Sequence, residues 1–229
     1  MKFDPITHTY TLNGKKLTSV SRWIEQFVPP FPAEKIAEAT AKRDGVNAED
    51  VLRKWELKGQ IALDQGNWVH NSIEYYLKHD REFTNEPVEA FKKVMSDNVY
   101  HSEVVVHDDE YAGTVDLIEV VGKGKVMIHD FKTNNDLYKK NGKLLGEYAH
   151  LDNTPFNKYT LQLNKYKQLL EGMKEVEVVG MSIWHYKNNF EIIWLSEHSQ
   201  SLKTSKQPAT NPNTGWLEKT KTPRKKKSQ

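Results

Sequence analysis

The hydrophobic period of this chain changes at His101, and that change limits what it can fold into. Before it, apolar residues recur three and four apart, as on one face of a helix. Val20, Trp23, Ile24 and Phe27 mark a helix starting near Thr18 or Ser19, which Val28-Pro29-Pro30-Phe31-Pro32 breaks. Residues 33–80 read as several helices bounded at Gly45 and Gly59, with Trp55, Leu57, Ile61, Trp68, Ile73 and Tyr76 as core. Pro87 opens a further helix carrying Val88, Phe91 and Val94. After His101 the runs become β-branched. Residues 103–107, 112–121 and 125–132 read as strands, turned at Asp108-Asp109-Glu110 and at Gly122-Lys123-Gly124. Residues 133–155 are polar and irregular. A helix over about 156–171 and strands over 176–185 and 190–195 close the pattern. Near the N-terminus, Thr7-His8-Thr9-Tyr10-Thr11-Leu12 alternates, Asn13-Gly14 is a two-residue hairpin turn, and Lys15-Lys16-Leu17 returns. The chain is therefore α/β, with an N-terminal hairpin and helical region ahead of a strand-rich part and no internal repeat.

Within the strand-rich part, Asp130 and Lys132 are two apart in Val126-Met127-Ile128-His129-Asp130-Phe131-Lys132-Thr133, so their side chains share a face. Another isolated acid, Asp116, lies in Ala112-Gly113-Thr114-Val115-Asp116-Leu117-Ile118. A carboxylate among buried neighbours is costly unless it is paired or holds a cation. If the two strands are neighbours, two carboxylates and an ammonium converge. That is equipment for holding a divalent metal and activating a water beside it. A plain ion pair between Asp130 and Lys132 is the competing reading. Gly113 marks a place where backbone passes close to another group. His70 and Glu74, and likewise Gln162 and Tyr166, are four apart on helices, so each pair presents one face. Tyr166 reads equally as core, and Glu74 as a charge on a helix face.

The run Gly113-Thr114-Val115-Asp116, then Asp130-Phe131-Lys132-Thr133, then Gln162-Leu163-Asn164-Lys165-Tyr166 resembles the PD-(D/E)xK nuclease superfamily. More narrowly it is similar to the RecB-like exonuclease branch, with its phage-encoded members. That branch carries an upstream helical histidine, matched by His70 in Gly66-Asn67-Trp68-Val69-His70-Asn71-Ser72-Ile73-Glu74. The likeness spans about residues 60–195 in motif order, and Val115 stands where a literal Pro-Asp pair would have proline. It implies a central mixed β-sheet flanked by helices, the restriction-endonuclease-like core. It implies an Mg2+-dependent DNA exonuclease, with Mn2+ as a substitute. Asp116 and Asp130 are the expected metal ligands, with the Phe131 carbonyl, His70 and Glu103 completing the set. Lys132 is expected to position or deprotonate the attacking water and to stabilise phosphate charge. Gln162 would orient Lys132 or a phosphate oxygen, and Tyr166 would bind backbone or stack a base. DNA is the implied partner, together with a recombination or replication protein. The implied place is the cytoplasm of an infected bacterium. A nuclease-derived DNA-binding module without catalysis is the alternative, although Asp116, Asp130 and Lys132 are all retained. A metal-dependent hydrolase of small substrates is a further rival, one that needs neither a basic tail nor a long groove.

Composition sets the remaining bounds. With 229 residues, 37% of them hydrophobic, the chain suits one domain with a real core. It has no cysteine, which excludes disulfides, thiolate metal sites and the iron–sulfur cluster of some members of this branch. No run has the length of a membrane span, and the first residues form no signal peptide. The net charge of +2 is uneven, because residues 197–229 hold eight Lys or Arg and two Glu. Residues 1–196 are thus expected as a single, mildly acidic domain, with 1–100 hairpin and helices and 101–196 the sheet core. Residues 197–229 are expected as a basic, disordered tail. Arg224-Lys225-Lys226-Lys227 there reads either as a polyanion contact or as a solubilising terminus. Thr133 with Lys139, Lys140 and Lys143 reads either as a mobile loop on the DNA path or as a solvated charge run.

Overall fold

Asn13 and Gly14 adopt φ of +50° and +82°, the pair of left-handed residues that a two-residue hairpin turn needs. They join β2 (Thr9–Leu12) to β3 (Lys15–Ser19), and β1 (Lys2–Asp4) adds a third antiparallel strand that the alternation did not reveal. The computed structural model describes residues 1–195 except Pro5, Ile6 and His8, so the basic tail lies outside the described residues. Ser19 caps α1 (Val20–Glu25) by accepting the Arg22 N–H. Then come α2 (Ala33–Asp44), α3 (Ala48–Lys78) and α4 (Glu86–Val94), whose cap is Asn85 and whose second residue is Pro87. The strands β4 (Val99–His107), β5 (Tyr111–Gly122) and β6 (Lys125–Lys132) follow. After an irregular stretch come α5 (Pro155–Met173), β7 (Glu177–Tyr186) and β8 (Phe190–Trp194).

All eight strands form one mixed sheet, in the order β1-β2-β3-β5-β6-β7-β8 with β4 on the other edge of β5. The pairs β3–β5 and β6–β7 are parallel and the rest antiparallel. Helices cover both faces. On one, α1 and α5 pack over Val106, Val115, Ile118, Ile128 and Ile183. On the other, α4 and the second half of α3 pack over Tyr100, Leu117, Phe131 and Trp184. The α/β expectation with a central mixed sheet flanked by helices is met.

Two features of the helical part differ from expectation. Gly59 does not end a helix, because α3 runs unbroken for 31 residues. Gly45 is a true boundary, held at φ +67° as the cap of α2. Leu57, Ile61 and Trp68 are not core, being 60%, 58% and 41% exposed. Trp55 is half-buried beside Phe31, and only Ile73 and Tyr76 sit in the interior as expected. The reason is geometric. α2 covers α3 only as far as Val51 and Trp55, and the body of the molecule begins at Val69. Residues 56–65 lie between and are exposed throughout. Among the described residues no helix is long and apolar enough to cross a membrane.

Candidate metal centre

β5 is longer than its neighbours on one edge, and the site occupies the gap this leaves. β3 pairs only with Tyr111 and Ala112. The β5–β6 ladder runs back from the turn and stops at Leu117↔His129, while β6 stays beside β7 to Lys132↔His185. β5 and β6 therefore part at the level of Asp116 and Asp130. There the Phe131 N–H donates to Asp116 Oδ2 at 2.8 Å instead of entering a ladder.

The other edge of β5 is irregular at the same level. Glu103 stands opposite Asp116, between the pairs Ser102↔Leu117 and Val104↔Val115, and its φ is +51°. A left-handed glutamate costs on the order of 1 kcal/mol or more. Both strands also reverse faces here. Tyr100 and Val106 have the same parity yet lie in opposite core layers, as do Leu117 and Val115. Neither strand gains a residue, so the slip re-aims side chains without shifting register. It sets two carboxylates opposite each other, a repulsive arrangement unless a positive charge lies between them.

His70 of α3 supplies the third group. Its Nδ1 is 3.6 Å from Glu103 Oε1 and 3.6 Å from Asp116 Oδ2. Its Nε2 lies 3.2 Å from the Phe131 carbonyl, which can only accept, so Nε2 carries a hydrogen. This is the orientation in which a metal-binding imidazole is commonly held, with Nδ1 aimed at the carboxylates. Burial pushes the His70 pKa down, but Asp116 and Glu103 more than offset it and raise the value to about 9. Without a cation, a proton on Nδ1 supplies the positive charge. The three donor atoms lie within 4.8 Å of one another. Ligands opposite each other on one small divalent ion are about 4.2 Å apart, so the set fits such an ion after slight contraction. Its one nitrogen favours Mn2+ relative to Mg2+.

Asp130 and Lys132 form the adjoining pair. Asp130 is 1% exposed, and Lys132 Nζ lies 2.5 Å from its Oδ2. Burial raises the Asp130 pKa, and the Lys132 charge opposes that. Burial lowers the Lys132 pKa, but Asp130 and Asp116 outweigh it, so the ammonium keeps its proton. Lys132 also donates to the Phe131 carbonyl at 3.2 Å and lies 4.6 Å from the centre of the Tyr159 ring. The Phe131 carbonyl thus receives His70 and Lys132, and the Asp130 carboxylate faces Lys132. The three groups brought together as a donor set are His70, Glu103 and Asp116.

His70, Glu103, Asp116 and Lys132 border a cleft of about 760 Å³, walled by Ala62, Leu63, Gly66 and Asn67 of α3 and by Tyr159 and Tyr166 of α5. Tyr166 lines the cleft and packs in the core at 4% exposure. A Cβ on Gly113 would collide with the Tyr166 ring, which is the close approach the glycine signalled. Gln162 donates to the Tyr166 hydroxyl at 2.9 Å, and the ring against Lys132 belongs to Tyr159. Tyr159 is seven residues before Tyr166, two turns along the same helix, a spacing that would have found it. Tyr10, bonded to Thr114 Oγ1 at 2.9 Å, carries no such local signal, since only the β3–β5 pairing brings it here. Glu74 lines the cleft and pairs with Lys78 at 2.7 Å. Thr133 also lines it, across from Gly66. Lys140 and Lys143 each hold Asp152 at 2.7 Å, closing part of the loop expected on a DNA path.

No protein-family model matches this chain, and no curated protein matches it. The fold and site alone define a mixed α/β domain with three groups that could hold a metal ion at a break in its sheet.

Proposed function

We propose that the chain is a divalent-metal-dependent DNA nuclease with a restriction-endonuclease-like core, acting as an exonuclease on phosphodiester bonds. The observation that carries this reading is the convergence of His70, Glu103 and Asp116 beside the charged Lys132 at one cleft. Mg2+, or Mn2+ in its place, would supply Lewis acidity and an acidified water there. Glu103 and Asp116 would hold the cation by charge, and His70 would ligate it through Nδ1 once that nitrogen is unprotonated. Lys132 stabilises negative charge on the phosphate as it develops. Asp130 and the Tyr159 ring keep that ammonium charged and aimed. DNA is the substrate on the strength of the motif resemblance, with the cleft of about 760 Å³ beside the donor groups as its place. On the same resemblance the enzyme would work in the cytoplasm, with a recombination or replication protein.

The test is digestion of end-labelled linear and circular DNA, single- and double-stranded, with Mg2+, Mn2+ or EDTA. Linear DNA should be degraded with either metal, circular DNA spared and EDTA inhibitory. Equal cutting of circles would replace exonuclease with endonuclease. Binding without cleavage in either metal would leave the inactive DNA-binding module standing.

A further inference from the structure

Directly behind the point where β5 and β6 part, a chain of hydrogen bonds crosses three strands. Glu119 on β5 accepts from His129 on β6 (Oε2 to Nε2, 3.1 Å), and His129 Nδ1 meets the Ser182 hydroxyl on β7 at 2.8 Å. The far end of Glu119 is fixed too, since Ser96 and Asn98 both donate to Oε1 at 2.6 Å. The connectivity is that of a hydrolytic Ser-His-Glu triad, but the site is sealed. Ser182 and His129 are 0% exposed, and the Trp184 indole N–H donates to the Ser182 oxygen at 3.0 Å. No substrate reaches that hydroxyl, so the network has a different task.

Its position identifies the task. His129 is the last β6 residue in register with β5, and it is also in register with Ser182. One residue further along, the ladder has ended and the site begins. A sheet whose strands separate tends to open further, because each broken rung exposes the next. Side chains that tie all three strands at the last rung stop that opening. We infer that Glu119, His129 and Ser182 act as a positioning clamp that fixes how far β5 and β6 separate, and thereby holds Asp116 against β6 beside Lys132. The link between clamp and site is the Phe131 N–H bond to Asp116 Oδ2, two residues past His129. The functional side of this inference rests on the proposed metal site, whereas the geometric side does not.

Glu119→Ala breaks the chain. Glu119→Gln keeps it connected, because the imidazole reverses its donor and acceptor nitrogens. The first readout is amide exchange by NMR in metal-free protein. Glu119→Ala should speed exchange of the Phe131 amide about tenfold or more while leaving Ile128 of the same strand within about twofold of wild type. Glu119→Gln should match wild type at both. The second readout is Mn2+ affinity by calorimetry, which should fall about tenfold in Glu119→Ala, as when the support of a metal ligand is removed, and be rescued in Glu119→Gln. Unchanged Phe131 exchange in Glu119→Ala overturns the clamp. So does equal acceleration at Ile128, which is general loosening, or a Glu119→Gln variant as impaired as the alanine. Should Glu119→Ala not fold, Ser182→Ala removes only the β7 end and carries the same expectations. A wild-type protein that binds no Mn2+ would sink the metal reading, and the exchange experiment would still decide the clamp.

Discussion

Asp116 has two tasks that a single substitution separates. Its carboxylate accepts the Phe131 N–H and also faces His70 and Glu103. Asp116→Asn keeps an acceptor for the amide but removes a charge. The fold should survive, Mn2+ affinity should drop at least about tenfold, and on the proposed nuclease reading DNA cleavage should be abolished. Calorimetry with circular dichroism checks this, and undiminished Mn2+ binding would remove Asp116 from the donor set. Glu119 makes a separate prediction about acid. Hydrogen bonding from His129 draws its pKa below the ordinary carboxylate range, to about 2, although burial opposes this. The unfolded chain therefore binds a proton at Glu119 more readily than the folded one. The stability from this group is complete above about pH 4.5 and is lost as pH falls from there toward 2. The melting temperature should decline over that window, and Glu119→Gln should flatten the decline. Equal slopes would deny Glu119 that share. At this scale the sequence was partly legible. Asp116, Asp130 and Lys132 stood out because acids and a lysine are rare in β-branched runs. Glu103 was weaker, because nothing local announces a φ of +51°.

Among the elements, two glycines make opposite predictions. Gly113 on β5 faces Tyr166 and Val20 so closely that an added Cβ would collide with the tyrosine ring. Gly113→Ala should cost about 1–3 kcal/mol in urea unfolding, as overpacking does, and Tyr166→Leu in the same chain should recover part of it. Gly59 in α3 has nothing within 4 Å of where a Cβ would sit. Gly59→Ala should stabilise by roughly 0.5–1 kcal/mol, the helix-propensity difference alone. A destabilised Gly59→Ala variant would mean that α3 is interrupted there after all. These glycines also explain what the sequence concealed. The limits of β6 were readable residue for residue at 125–132, because short buried strands advertise their period, whereas the expected 103–107 missed the first four residues of β4. Gly59 misled because a helical glycine and a boundary glycine look alike when no neighbour reveals the packing. Leu57 and Ile61 misled for a related reason, since apolar spacing gives a face but not what lies opposite it.

For the whole molecule, the order of elements was legible while the three-sided pairing of β5 was not. That pairing joins residues near 18 to residues near 111, and no local pattern encodes so distant a parallel contact. Charge at this scale was legible from composition. The eight basic residues at 203, 206, 219, 221 and 224–227 are balanced by few acids, whereas the rest of the chain is net acidic. On the nuclease reading, deleting residues 203–229 should leave catalysis intact. It should flatten the slope of log affinity against log salt by about 0.7 to 0.9 for each phosphate the tail had neutralised. An unchanged slope would assign the phosphate-binding charges to the body.

The unsupported middle of α3 has one more consequence, and it is rotational. Residues 56–65 are exposed, with Ala62 and Leu63 facing the cleft, and α2 is tied to the body both through this stretch of helix and through residues 26–32 leading from α1. One residue inserted there would turn α2 by about 100° about the α3 axis and advance it about 1.5 Å, which residues 26–32 between α1 and α2 would have to follow. Seven inserted residues would return α2 to within about 20° of its bearing, displaced outward by roughly two turns. The two lengths therefore separate the bearing of α2 from its reach, each working against the tether of residues 26–32.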